Sequence, residues 1–325
     1  MRRLALLLLA LYMAACAPVL HPPGAAIQDP KITETAFIAV DGARLPLRSW
    51  LPERNPKAVL LALHGFNDYS NFFDDPGDFL KFRGIASYAY DQRGFGASTN
   101  PGSWAGVAAY VRDAAGAVRA LRAHYPNTPL YLLGSSMGGA VAMLALAEVD
   151  QLPVESVILV APAVWGRVTM PWYQRWALWL GAHTVPWMTV TGRGLGITPS
   201  DNIEMLIELG RDPLIIKETR IGAIYGLVNL MDAGLATAGD LKVPALILYG
   251  KKDEIIPKKP TMLMLKHFNN KPRVALYEGG YHMLLRDLPA ATVWKDIAHW
   301  ITNRAAPLPS GADKRNIKSL LGADE

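Results

Sequence analysis

Cysteine is almost missing from this chain: of 325 residues, Cys16 alone carries a thiol, so no internal disulfide can form. A strong excess of one charge is missing too. Lys and Arg number 33 against 28 Asp and Glu, and removal of Arg2 and Arg3 with an expected leader takes the formal +5 to +3. That excess is too small for a nucleic-acid-binding surface. The lysines at 251, 252, 258 and 259 cluster, but a solvated loop and helix start accounts for them better than an anionic surface does. There are no internal repeats, and no apolar run approaches the roughly 20 residues of a membrane-spanning helix. What is there is a chain 51% hydrophobic, long enough for one large α/β domain or two ordinary ones with a sizeable core.

The N-terminus opens "MRRLALLLLALYMAACAP": a basic start, twelve largely apolar residues from Leu4 to Ala15, then small residues before Cys16. This is the pattern of an export signal. The stretch "MAAC" resembles a bacterial lipobox, which implies cleavage of residues 1–15, lipid on Cys16 and a membrane as partner. By resemblance to lipoprotein sorting rules, Ala17 points to the outer membrane, facing the periplasm. An ordinary signal peptide with a chance cysteine and an uncleaved anchor are the alternatives. Residues 16–32, rich in Pro and Gly, read as a tether.

From Thr35 the pattern turns to strands. Two apolar stretches flank Asp41-Gly42 as in a tight hairpin. Continuous apolar runs then recur at 58–66, 84–91, 129–134, 155–163, 244–250 and 273–280, as in strands buried on both faces of a parallel sheet. Helical patterns alternate with them; Val107, Tyr110, Val111, Ala114, Val118 and Leu121 keep near helical spacing. The expected class is α/β: a mostly parallel central sheet, helices on both faces, ligands beyond the carboxyl ends of the strands. Residues 164–235 break the rhythm. They lack a clear core strand, carry five of the nine tryptophans, and read as a helical insertion between core segments 33–163 and 236–304. Residues 305–325 read as a polar, loosely ordered tail, with a possible short helix from Arg315 to Leu321.

The stretch "GSSMGG" at 134–139 contains G-x-S-x-G with Ser136 at its centre, between an apolar strand pattern and the apolar helix pattern "AVAMLALAEV". Strand, tight turn and helix are the setting of a nucleophile elbow, and the glycine frame selects Ser136 over Ser135. A serine hydroxyl needs a base, and the base needs an acid to fix its tautomer. In folds with this elbow they follow as Asp or Glu, then His. His183 falls in the insertion; His267 and His299 fall in helical patterns; His282 stands in the Gly-rich loop "GGYHMLL" after a strand. Asp253 holds a similar place in "YGKKDEIIP", 29 residues earlier, with Glu254 its rival. The amide of Phe66, in "LHGF" at another strand end, and that of Met137 are candidate donors to a developing oxyanion. His64 either orients that loop or is a satisfied structural imidazole.

Together "LHGFNDYS", "YDQRGFGAS", "GSSMGGAVA", "YGKKDEIIP" and "GGYHMLL", in this order, resemble the α/β-hydrolase fold. Within it they resemble the monoacylglycerol lipase and lysophospholipase-like branch, of serine aminopeptidase S33 type, over residues 33–302. The resemblance implies a Ser136, Asp253, His282 triad, an oxyanion hole from Phe66 and Met137, a helical cap over the site, and no metal or cofactor. It implies an esterase acting on monoacylglycerol or lysophospholipid substrates through an acyl-enzyme. A peptidase, a thioesterase and a non-catalytic lipoprotein module are the other readings. Trp172, Trp176 and Trp179 fall at i, i+4 and i+7, on one helix face. Packing into the core is the default for such a stripe; lining an acyl-substrate channel or resting on a bilayer is the alternative.

Overall fold

The computed structural model describes residues 20–315. The expected signal peptide, Cys16 and all but Arg315 of the possible terminal helix lie outside the described residues. In chain order the elements are β1 (Lys31–Ile32), β2 (Ala36–Ile38), β3 (Arg44–Trp50), β4 (Ala58–Leu63), α1 (Asp74–Lys81), β5 (Ile85–Tyr90), α2 (Val107–His124), β6 (Leu130–Ser135), α3 (Met137–Glu148) and β7 (Ser156–Val160). There follow α4 (Trp172–Thr184), β8 (Thr189–Val190), α5 (Ile203–Arg211), β9 (Thr219–Arg220), α6 (Ile221–Ala236), β10 (Ala245–Gly250), α7 (Lys258–His267), β11 (Arg273–Tyr277) and α8 (Ala290–Thr302).

Among the described residues nine strands form the main sheet, ordered β1-β2-β3-β5-β4-β6-β7-β10-β11. The strands from β5 onward are parallel, while β1, β2 and β3 join antiparallel at one edge. The expected hairpin is β2 and β3, turning through Gly42 at φ 81° with the Asp41 carboxylate accepting the Ala43 amide. The continuous apolar runs follow from burial on two sides. Val59, Leu61 and Leu63 of β4 face the layer of α2, α3 and α6, whereas Ala58, Leu60 and Ala62 face that of α1 and α8. Each fully buried leucine contributes about 1.5–3 kcal/mol to folding.

Two segments differ from the sequence reading. The inserted stretch ends in α6, whose Val228, Leu230, Met231 and Leu235 are buried in the same cluster as α3, so this helix belongs to the sheet's own cover. The start of the tail is packed rather than loose. Leu308 and Ala312 are buried, Ser310 bonds the buried Asp296, and Arg315 donates to the Leu276 carbonyl. Two apolar side chains among polar ones were enough to seat it. No helix among the described residues is long and apolar enough to cross a membrane.

Candidate active site

At the end of β6 the chain turns through Ser136, whose φ of 50° and ψ of −116° lie in a region L-residues rarely adopt. Such a conformation costs about 1–3 kcal/mol and persists only where its surroundings impose it. Here the Ser136 amide donates to the Val160 carbonyl, while the Ser136 carbonyl accepts the amides of Gly139 and Ala163. The flanking glycines are steric necessities. A Cβ on Gly134 would sit 2.3 Å from the Gly138 oxygen, and one on Gly138 would sit 2.2 Å from the Leu63 oxygen. The hydroxyl of Ser136 is thereby lifted from the sheet into a cavity of about 510 Å³ beyond the strand ends.

Asp253 and His282 meet beside that cavity. His282 Nδ1 lies 2.8 Å from Asp253 Oδ2, and both residues are buried. A carboxylate has no proton to give, so Nδ1 donates and Nε2 is left as the basic atom. Asp253 Oδ1 accepts the amides of Ile255 and Ile256, each at 2.9 Å, which fixes the carboxylate's rotamer. The "EIIP" stretch supplies those amides. Glu254, the rival acid, is exposed and accepts the Thr198 amide instead. His282 and Ser136 line the same cavity; no hydrogen bond joins Ser136 Oγ to the imidazole among the described contacts. Such bonds commonly tighten only when substrate arrives.

The loop after β4 runs directly over Ser136. A Cβ placed on Gly65 would lie 3.3 Å from the Ser136 Cβ, which is why glycine stands before Phe66. Phe66 lines the cavity, and Met137, the first residue of α3, has an amide with no acceptor inside its own helix. Beneath the loop His64 is fully buried: Nδ1 donates to the Gly65 carbonyl at 2.7 Å, and Nε2 accepts the Gln92 amide at 2.9 Å. Burial holds this imidazole below its ordinary pKa, consistent with a neutral ring. Gln92 also donates to the His64 carbonyl, and Asp91 accepts the amides of Ser70 and Ala97, so "DQRGFGAS" clamps the loop.

The remaining cavity wall is mostly apolar: Trp165 and Met170 from the segment before α4, Leu206 and Leu209 from α5, Ile224, Leu227, Val228 and Met231 from α6. Trp172, Trp176 and Trp179, expected in the core or, as the alternative, along an acyl-substrate channel or on a bilayer, are not among these residues. They are 72%, 65% and 40% exposed on α4, neither core nor cavity wall. Trp165, seven residues before Trp172 and outside the helix, is the tryptophan that faces the cavity. Sequence reasoning also passed over Asp68 and Arg286, which line the cavity as an ion pair from positions 218 residues apart. The inserted segment is tied to both loops. Asn67 bonds Thr219 and Ile216 on one side, while Pro199, Ser200 and Asn202 bond Met283, Asp287 and Arg286 on the other. Among the described residues no three His, Cys, Asp or Glu side chains group as a metal site requires.

The sheet, the strained serine turn and the buried acid–base pair define a serine hydrolase of the α/β-hydrolase class. A family model described as serine aminopeptidase, S33, matches residues 54–289, and the chain belongs to that family. Monoglyceride lipase of Mus musculus is 28% identical over 85% of this chain and 92% of its own length. Monoacylglycerol lipase of Mycolicibacterium smegmatis is 24% identical over 83% of this chain and 97% of its own. A crystal structure of a soluble variant of monoglyceride lipase from Saccharomyces cerevisiae, with a substrate analogue, superposes at a TM-score of 0.69 and 20% identity, over 89% of this chain and all of that one.

Proposed function

We propose that the protein hydrolyses carboxylic esters of monoacylglycerol or lysophospholipid type through an acyl-enzyme, with Ser136, Asp253 and His282 as its triad. The observation that carries the reading is the apolar cavity with Ser136 and His282 in its wall. His282 Nε2 takes the proton from Ser136 Oγ as the oxygen attacks the ester carbonyl. The amides of Phe66 and Met137 hold the oxyanion, a contribution of about 3 kcal/mol per donor in comparable enzymes. His282 then protonates the departing alcohol; water, deprotonated by the same nitrogen, releases the fatty acid. The Asp253 carboxylate stabilises the imidazolium in both steps. A cavity of this volume and lining suits an acyl chain.

An aminopeptidase would need a free carboxylate to receive the substrate's ammonium group. The carboxylate in the lining, Asp68, is engaged by Arg286. The test is a panel of long-chain monoacylglycerol, lysophospholipid, acyl thioester and aminoacyl amide, with Ser136→Ala as control. The expected result is turnover of the oxygen esters, lost by about 10⁴-fold or more in the variant. Preference for the amide, or turnover unchanged by the substitution, contradicts the reading. We further propose that residues 1–15 are removed and Cys16 is lipidated, anchoring the enzyme at a bacterial outer membrane. The measured mass of the mature N-terminal peptide tests this: a diacylated or triacylated Cys16 is expected, and an unmodified start elsewhere contradicts it.

A further inference from the structure

One surface of the inserted segment takes no part in the site. Along α4 the exposed positions Trp172, Trp176 and Leu180 fall at i, i+4 and i+8, with Tyr173 beside them, while the other side of the helix buries Ala182 and packs Gly181 against Ile221 of α6. Just beyond the helix Trp187 and Met188 are 63% and 50% exposed, extending the apolar surface. A tryptophan-rich face of this extent on one helix marks a binding surface.

From these features we infer that the outer face of α4 seats on a lipid bilayer with anionic headgroups, and that the chain's N-terminal segment leaves the domain at that same surface. Two further observations choose this occupant. The first is charge. From Trp165 to Ser200 there are three arginines and no Asp or Glu; Arg175 is exposed on α4 between Trp172 and Trp176, and Arg193 is exposed further along the segment. Amphipathic aromatic rings with basic neighbours suit the headgroup boundary of an anionic membrane. The second is where the chain leaves. The His21 amide donates to the Trp104 carbonyl, and His21, Trp104, Pro186 and Trp187 border one cleft. The described chain therefore begins, at Leu20 and His21, beside the Trp187 end of the face. Three residues lie between Cys16 and Leu20, so four Cα-to-Cα steps span at most about 14 Å, shorter than the ~20 Å length of α4. A chain held to a bilayer near Cys16 brings this end of the cap to it. Met170, two residues before Trp172, lines the cavity, so the docked face adjoins the acyl site.

The inference goes beyond the esterase reading, and its test reads it separately. Full-length protein is mixed with phosphatidylglycerol–phosphatidylethanolamine vesicles whose acyl chains are brominated, and tryptophan quenching is compared between wild type and Trp172→Ser/Trp176→Ser. Both substitutions replace exposed side chains outside the catalytic machinery. The expected result is strong quenching in the wild type that falls at least twofold in the double variant, even where the variant still sediments with vesicles through its N-terminus. Arg175→Glu weakens quenching in these vesicles and leaves it unchanged in phosphatidylcholine. Hydrolysis of vesicle-borne ester falls about tenfold in the double variant, while that of a soluble short-chain p-nitrophenyl ester is unchanged. Equal quenching in wild type and variant overturns the inference. So does a wild-type dimer that the substitutions dissolve, which gives the face to a second copy. An unquenched wild-type monomer overturns it too. If neither ester is cleaved by the wild type, the functional reading fails while the quenching still decides the docking.

Discussion

Asp253 shows how much a single carboxylate is asked to do. One oxygen is spent on the amides of Ile255 and Ile256, and the other holds His282 Nδ1. In Asp253→Asn the amide oxygen keeps the two backbone donors, which turns the NH₂ group toward the imidazole. Nδ1 must then accept, the proton moves to Nε2, and Nε2 can no longer take the proton of Ser136. We expect folding to be retained and kcat to fall by roughly 10³- to 10⁴-fold, as a wrong-tautomer histidine does in other triads. Wild-type kcat with an unchanged melting temperature contradicts the role. The chemistry of these side chains was legible because each stands in a short local pattern: glycines two before and two after the serine, an aspartate ahead of "EIIP", a histidine in a glycine-rich loop. Asp68 and Arg286 had no such pattern. Their pairing depends on the fold bringing positions 218 residues apart to one cavity wall.

At the scale of elements, the site depends on loops held from below. The loop after β4 is kept by His64, a neutral ring spanning the Gly65 carbonyl and the Gln92 amide. Because burial lowers the folded-state pKa of this histidine, the unfolded chain binds the proton more readily. The stabilising contribution is therefore present above the ordinary imidazole value of about 6.5 and is lost as pH falls below it toward the folded value. His64→Gln keeps an acceptor for the Gln92 amide but leaves the Gly65 carbonyl without its Nδ1 donor, and should be less stable at pH 7.5 by about 1–3 kcal/mol. It should also lose less stability than wild type between pH 7.5 and 5.5, read as urea midpoints. Parallel losses in the two proteins contradict this. Strands were readable as apolar runs because both faces of the sheet are covered. The helical stripe on α4 was not readable in the same way: spacing identifies which side chains share a face, and says nothing of what covers it. The same limit applies to α6, whose place against α3 follows from packing across the sheet cover.

At the scale of the whole molecule, a single cavity collects contributions from both halves of the sheet and from the inserted segment. Ser136 arrives from β6, the loop bearing Phe66 from β4, Asp253 from the loop after β10 and His282 from the loop after β11. The insertion is bonded to the loops bearing Phe66 and His282, so the apolar wall and the reacting groups form one unit. The strand segments, the elbow and the triad candidates could be taken from the sequence, whereas the strand order, the cavity lining and the outward tryptophans needed three dimensions. The central claim is that Ser136 is a nucleophile activated by His282. Its most direct measurement is covalent trapping: the protein is treated with a long-chain alkyl p-nitrophenyl phosphonate, digested, and its peptides are weighed. The account predicts one phosphonyl group per chain, on Ser136, with labelling slowed at least 10³-fold in His282→Ala. A label on another residue, or equal labelling of wild type and His282→Ala, would contradict it.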